Sequence, residues 1–297
     1  MKTIDVKTRI AIKNIAFATD LSPASYAALP FAAEFARFYG AKVWGFHVFS
    51  PKVYPVPPSL VLPASAADSR EVATELAEGL ERSLPGIRHE VVIDYGEIWS
   101  ALSAFIEKNN IDLLVIGTHG RTGLQKAVMG SVAEVVFRQS LCPVLTVGPK
   151  ASIHLDQPLE TKEILYATDF TPASQAAAPY ALSLAQEHQA HLVLVHVIEP
   201  SKTRELAYGG EFVSATMKRL RDLVPPEAEL WCKPEHLVEY GSPADNILKV
   251  AERRHSHLIV LGVRKPDGSL GLTTHFARAT AYKVVSHACC PVLTVRG

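Results

Sequence analysis

"ATDLSPAS", residues 18–25, returns as "ATDFTPAS" at residues 167–174, with six identities in eight positions. At the same offset "HVFSP" (47–51) returns as "HVIEP" (196–200), and Pro30 returns as Pro179. Near the end of each half "CPVLTV" occurs letter for letter, at 142–147 and again at 290–295. Self-similarity at a fixed spacing marks a repeated structural unit. The 297-residue chain is therefore expected to hold two copies of one domain, 1–150 and 157–297. "GPKASIHLDQPLET" (148–161), with its prolines and polar residues, reads as the connector.

Each copy alternates short apolar runs with helical patterns. In the first, "NIAFAT" is a strand ending at Asp20, and Ser22-Pro23 reads as an N-cap followed by proline at the first helical position. Phe31, Phe35 and Phe38 recur at helical spacing up to Gly40, a C′ residue. Pro30 falls inside that pattern and is expected to kink it. "KVWGFHV", "EVVIDYG", "IDLLVIG" and "PVLTVG" supply four more strands, with helices marked by Val72, Leu76 and Leu80, by "EIWSALSAFIEKNN" and by residues 131–139. The proline-rich stretch "SPKVYPVPPSLVLPAS" (50–65) is longer than most connections and reads as a lid or binding loop. Strands this apolar, separated by helices, form parallel sheets covered on both faces. The fold class is α/β, two doubly wound domains, each with a five-stranded parallel sheet.

Bulk composition removes several function classes. Thirty basic residues balance thirty acidic ones, so the charge points neither to nucleic acid nor to an anionic membrane surface. No run reaches the roughly 20 apolar residues of a membrane span. The N-terminal twenty residues mix charges throughout and lack the apolar core of a signal peptide. A cytoplasmic location is the expectation. The four cysteines, Cys142, Cys232, Cys289 and Cys290, form no CxxC pair and argue against a disulfide framework. "HACC" (287–290) could supply three metal ligands, but the spacing offers no fourth and Cys290 opens a strand. The plainer reading is buried, reduced thiols.

The chemistry is expected after the fourth strand of the first copy, in "GTHGRTGLQKAVMGS" (117–131). In an open parallel sheet, ligands bind beyond the carboxyl ends of the strands where the order reverses. Asp20 ends strand one and Gly117 ends strand four, so neighbouring strands would bring both to one crevice. Gly117 and Gly120 would let backbone approach a ligand closely. Gly130-Ser131 then opens a helix, whose free N–H groups, positive dipole end and adjacent hydroxyl suit a phosphate. The stretch is neither a P-loop nor the GxGxxG dinucleotide fingerprint. Taken alone, its glycines are as well read as turn residues, and Asp20 as the cap of the following helix. His119 in isolation is a structural or solvent histidine, and His47 and His196 are satisfied core or rim histidines. Arg121 and Lys126 are loop cations that could face phosphate.

The pattern G-x2-G-x9-G-[ST] after an apolar fourth strand, with an Asp after strand one, resembles the nucleotide-binding class of universal stress proteins. The chain is similar to a tandem form with two such domains fused. The resemblance implies that ATP, with or without Mg2+, binds the first domain. It implies Thr19 and Asp20 beside adenine and ribose, and the backbone of Val48 on the adenine. Gly117, Thr118, His119 and Gly120 would wrap ribose and phosphates. Gly130, Ser131 and Val132 would hold the phosphates through amides and the serine hydroxyl. In single-domain relatives the edge formed by the fifth strand is used for dimerisation, so the two "CPVLTV" strands would seal an intramolecular pseudo-dimer about a pseudo-twofold axis. A homodimer through other faces stays open.

Three classes of function compare. A regulatory ATP-binding protein of the stress response, hydrolysing at most weakly, fits the motif. An AMP-transferring enzyme of the related adenine nucleotide α-hydrolase type needs a glycine- and serine-rich pyrophosphate loop after strand one, where "DLSPAS" has no glycine. The alternative is a nucleotide-independent scaffold or ligand sensor with vestigial pockets. No base or metal-ligating carboxylate is identifiable beyond Asp20, so no catalytic residue is assigned. In the second copy Thr168, Asp169 and Val197 survive. Arg278-Ala279, however, stand where Gly130-Ser131 stand in the first, and Lys265 where Gly120 stands. The expectation is one ATP per chain.

Overall fold

The computed structural model describes residues 10–50, 66–119, 129–151, 162–199, 210–226, 228, 232, 234–264 and 272–297. They form two compact units, Ala11–Pro149 and Lys150–Gly297, the second of which Ile10 also joins.

The first unit runs β1 (Asn14–Ala18), α1 (Pro23–Tyr26), α2 (Leu29–Tyr39), β2 (Lys42–Phe49), α3 (Ala66–Ser83), β3 (His89–Tyr95), α4 (Ile98–Lys108), β4 (Leu113–Gly117), α5 (Ser131–Gln139) and β5 (Val144–Val147). Its strands lie in the order β3-β2-β1-β4-β5, every pairing parallel. β1 and β4 are neighbours, with Ala18 opposite Ile116. Because the chain leaves β1 toward β2 on one side and β4 toward β5 on the other, the order reverses between them. That reversal opens a crevice past the strand ends. Ile15, Ala16 and Phe17 of β1 and Leu113, Leu114 and Val115 of β4 are fully buried, as strands covered on both faces must be.

The second unit repeats the plan with β6 (Glu163–Ala167), α6 (Pro172–Glu187), β7 (His191–Ile198), α7 (Gly210–Arg221), β8 (Glu235–Tyr240), α8 (Pro243–Arg253), β9 (Leu258–Val263), α9 (Leu272–His287) and β10 (Val292–Arg296). The order is β10-β9-β6-β7-β8, again parallel throughout.

Local chemistry sets the turn that follows the first strand of each unit. Ser22 caps α1, its Oγ accepting from the Ser25 amide at 3.2 Å, and Pro23 takes the first turn. Thr171 and Pro172 do the same for α6. Between strand and cap stands a bulky residue in the left-handed region, Leu21 at φ 66° and Phe170 at φ 62°. Non-glycine residues rarely adopt that conformation. Here side chains hold it: the Leu21 amide donates to Thr19 Oγ1 at 2.9 Å, and the Ser22 amide to Asp20 Oδ1 at 3.0 Å. The two prolines that match in the repeat differ in place. At Pro30 the helix is not kinked but divided, because the Ala28 amide bonds the Ser25 carbonyl and α2 restarts at Leu29. Pro30 thereby sits in a first turn, where its missing N–H costs nothing. Pro179 lies inside the unbroken α6. Gly40 ends α2 at φ 64°, the left-handed C-terminal residue that helices favour. Residues 51–65, read as a lid loop, lie outside the described residues.

Candidate functional site

Past the ends of β1, β2 and β4 the first unit holds a cleft of about 210 Å3. Thr19, Asp20, Val48, Gly117, Thr118, His119, Gly130, Ser131 and Val132 all line it. Gly120, Arg121 and Lys126 lie outside the described residues.

One side is built on β1 and β2. The Thr19 amide donates to the Phe46 carbonyl at 3.0 Å, the last backbone bond between the two strands' ends. Since alternate residues of a strand point their backbone groups to opposite sides, Val48 presents its N–H and C=O to the same side as Phe46. β1 has ended by that point, and Val48 lines the cleft. Asp20 supports the turn: its Oδ1 accepts from the Ser22 amide at 3.0 Å and the Ser22 hydroxyl at 2.6 Å. The turn-residue reading and the position in the cleft thus hold together. His47 is buried and its Nδ1–H donates to the Thr19 carbonyl at 2.8 Å. It is the satisfied histidine its strand position suggested.

The other side is the start of α5. Gly130 is the N-cap, with no side-chain cap bond, and the first intrahelical bond runs from the Glu134 amide to the Gly130 carbonyl at 2.9 Å. The amides of Ser131, Val132 and Ala133 precede that bond, so no helical carbonyl is available to them. All three residues line the cleft. The helix start is a focus of partial positive charge, and the Ser131 hydroxyl stands beside it on an exposed residue. Gly130 has φ −61° and ψ 152°, a conformation open to any residue. Among the described residues, a Cβ there would meet the Thr118 carbonyl alone, at 3.4 Å. Neither the backbone conformation nor packing against the described residues demands glycine at this position.

Gly117 is different, because packing constrains it as well. A Cβ at Gly117 would lie 3.0 Å from both Ala24 O and Ser25 Cα. Glycine here lets α1 pack on the end of β4, and the same residue lines the cleft. Gly262 in the second unit has the same cause, since its Cβ would collide with Ala173 O and Ser174 Cα. Thr118 and His119 are mutually bonded. The Thr118 amide donates to the Val147 carbonyl at 2.9 Å, and its hydroxyl to the same oxygen at 3.3 Å. Thr118 Oγ1 then accepts from His119 Nδ1–H at 2.9 Å.

Ser25, His47 and Ser50 add polar groups to the wall, and its apolar part includes Phe46, Ile98, Leu102, Ile116 and Ala133. Sequence reasoning did not assign these residues to the site. Their signal was the same periodicity that marks any core position, which carries no hint of which core residues border a cleft. Among the described lining residues there is no lysine or arginine, and Asp20 is the one carboxylate. An anion entering this cleft meets backbone amides and a hydroxyl, and a flat apolar ring system meets aliphatic walls.

The second unit keeps half of this arrangement. Asp169 Oδ1 accepts from the Thr171 amide and hydroxyl at 3.0 and 2.6 Å, and His196 Nδ1–H donates to the Thr168 carbonyl at 2.8 Å. Val197 occupies the strand end. The helix does not match. α9 begins at Leu272, so Arg278 and Ala279 lie within it rather than at its start. Their amides fall in the intrahelical ladder. Lys265 lies outside the described residues.

At "HACC", His287 Nδ1 is bonded to the Lys283 carbonyl at 2.9 Å. Among the described residues no group of three His, Cys, Asp or Glu side chains can hold a metal ion. No described helix is long and apolar enough to cross a membrane.

Comparison with known proteins agrees with this architecture. The sequence profile of the Universal stress protein family matches residues 11–148 and again 160–296. A universal stress protein of Methanocaldococcus jannaschii is 34% identical over 145 residues, covering 46% of this chain and 81% of that protein. One from Mycolicibacterium smegmatis is 24% identical across 95% of this chain and 97% of its own. Among solved structures, a universal stress protein from Archaeoglobus fulgidus superposes with a TM-score of 0.64 at 22% identity, covering 95% of this chain and 98% of that one.

Proposed function

Because the chain belongs to the universal stress protein family, in its tandem two-domain form, we propose that its first unit binds ATP as a regulatory nucleotide of the stress response. The observation that carries this is the start of α5. Three amides without helical partners and a serine hydroxyl open onto the same cleft as Asp20 and the backbone of Val48. In this reading the Val48 N–H and C=O bond the adenine edge, and Asp20 and Thr19 border the ribose. The phosphates lie on the amides of Ser131 and Val132 and on the Ser131 hydroxyl, with or without Mg2+. Helix-start amides recognise phosphate without any side-chain cation, which suits a cleft whose described wall has none.

Hydrolysis is at most weak in this reading. A good catalyst needs a base within hydrogen-bond reach of the attacking water. Asp20, the lone carboxylate among the described lining residues, already holds Ser22 through Oδ1. The protein is a binder rather than a turnover enzyme.

The test is direct. The full chain is purified without added nucleotide, its heat-released extract is analysed by mass spectrometry, and the emptied protein is titrated with ATP by calorimetry. Copurifying or saturably bound ATP supports the reading. Absence of both points to the nucleotide-independent scaffold.

A further inference from the structure

The two copies diverge at the corner that precedes their identical last strands. The first copy reads "SLCPVLTV" (140–147) and the second "ACCPVLTV" (288–295). Cys142 and Cys290 match, and both follow a helix and precede a strand-opening proline. The residue before them is Leu141 in the first unit, 65% exposed. In the second it is Cys289, half-buried, next to the buried Cys290. A thiol therefore stands at a corner that the fold leaves accessible, with a second thiol as its immediate neighbour. The Cys290 thiol donates a hydrogen bond to the Cys289 sulfur, and Lys150 lies near enough to act on it electrostatically.

We infer that Cys289 and Cys290 form a hydroperoxide-reactive dithiol, in which Cys289 is oxidised and Cys290 resolves it to a reversible vicinal disulfide.

The surroundings suit the two roles. The hydrogen bond from Cys290 is the main influence pulling the Cys289 thiol down from 9.0 to about 6. Burial and Glu252 oppose it, while its own backbone and Lys150 assist. The thiolate is the nucleophile, and Cys289 holds that form near neutrality. Cys290 is pushed well up, by donating to Cys289, by burial and by the Cys289 charge. The other thiols differ: burial raises Cys142, and burial raises Cys232 to about 11.

In the first step the Cys289 thiolate attacks one peroxide oxygen. An S–O bond forms, the O–O bond breaks and hydroxide or alkoxide leaves. Sulfur loses two electrons and the peroxide gains them. Cys289 is then an uncharged sulfenic acid, so two of the influences that raised Cys290 vanish. The Cys290 sulfur attacks Cys289, S–S forms, S–O breaks, and the departing hydroxide takes the Cys290 proton as water. Adjacent Cα atoms are held about 3.8 Å apart across a trans peptide, closer than the usual disulfide span. Such a bond is more reducible than a structural one, so the product is readily returned to thiols.

The full-length protein, treated with hydrogen peroxide at neutral pH, is alkylated and mapped by peptide mass spectrometry. The peptide holding residues 289 and 290 is expected two hydrogens lighter, unalkylated, and restored by dithiothreitol. Before oxidation, Cys289 should alkylate more than about tenfold faster than Cys142 and Cys232 at pH 7. Cys290→Ser should trap Cys289 as a dimedone-reactive sulfenic acid, and Cys289→Ser should leave Cys290 a thiol. Two results overturn the inference: both cysteines staying reduced while the peroxide is consumed elsewhere, or wild-type Cys289 passing to sulfinic acid without a disulfide.

Discussion

The Gly130 amide donates to the Thr118 carbonyl at 2.8 Å. That bond ties the start of α5 to the end of β4, which the Thr118 amide in turn anchors to Val147. The N-cap's own N–H is thus consumed inside the protein, while the next three amides have no helical carbonyl to reach and belong to residues that line the cleft. The helix start is positioned before any ligand arrives, which lowers the ordering cost of binding.

Gly130→Val should abolish measurable ATP binding and leave the fold intact. The φ and ψ of Gly130 are acceptable for valine, and among the described residues a Cβ meets the Thr118 carbonyl alone, at 3.4 Å. Its side chain would add bulk at the N-cap, beside the lining residues Ser131 and Val132. Circular dichroism should match wild type while calorimetry shows no heat of binding. A variant that binds ATP normally would displace the phosphates from this helix start.

Ser131→Ala should weaken ATP binding about 10- to 100-fold, the value of one hydrogen bond to a charged group. Thermal stability should not change, since Gly130 and not Ser131 caps α5. Equal loss of binding for ADP and ATP would place the hydroxyl on a phosphate common to both.

Gly117→Ala and Gly262→Ala separate packing from binding. The Gly117 Cβ would press on Ala24 O and Ser25 Cα at 3.0 Å, and the Gly262 Cβ would collide with the matching atoms of Ala173 and Ser174. Overpacking typically costs about 1–3 kcal/mol, and Gly262→Ala is expected at the upper end or beyond. Both should lower the melting temperature, Gly262→Ala more. A Gly117→Ala protein that melts like wild type would show that α1 moves away without penalty.

These two glycines also mark where sequence reading stops. The repeat, the apolar strands and the cap at Ser22 were legible because each is a local pattern with a fixed period or offset. That β1 and β4 are neighbours was a condition of the crevice reading, and the β1–β4 pairing meets it. The reason for Gly117 was not legible, because Ala24 and Ser25 lie far from it in the chain and meet it only through tertiary packing. Pro30 and Pro179 stand in equivalent patterns and end differently, one opening α2 and the other inside α6. Propensity could not separate them. The apolar wall of Ile98, Leu102 and Ile116 was hidden for a third reason: facing a cleft and facing a core require the same residue types.

Asp169 gives a pH signature to the second unit. Burial pushes its carboxyl up, but the Thr171 hydroxyl and amide, then Ser174, more than reverse this and leave it below 3.8. A carboxylate lowered in the folded state adds stability above its unfolded pKa and loses it as pH falls through the folded one. Asp169→Asn should therefore melt below wild type at pH 7. The gap should narrow as pH drops below about 4. A gap independent of pH would assign the effect to lost geometry rather than charge.

One ATP per full-length chain is the remaining expectation, and α9 supplies its physical reason. Counting back from the shared "CPVLTV", Arg278-Ala279 matches Gly130-Ser131. In the first unit the helix starts at Ser131, so the amides there are free to bind an anion. In the second, α9 has already begun at Leu272, and an amide that deep in a helix donates to the carbonyl four residues back. The phosphate seat is filled by the protein's own backbone. Two charges, Lys265 and Arg278, could in principle hold phosphate instead, since arginine recognises it well. Yet the proposed site of the first unit works by close approach to backbone amides, and the amides of Arg278 and Ala279 lie within α9. Calorimetric titration of the full chain should give a stoichiometry near one, and Gly130→Val should remove all of it. A stoichiometry near two, or saturable binding persisting in Gly130→Val, would show that the second crevice holds nucleotide by charge.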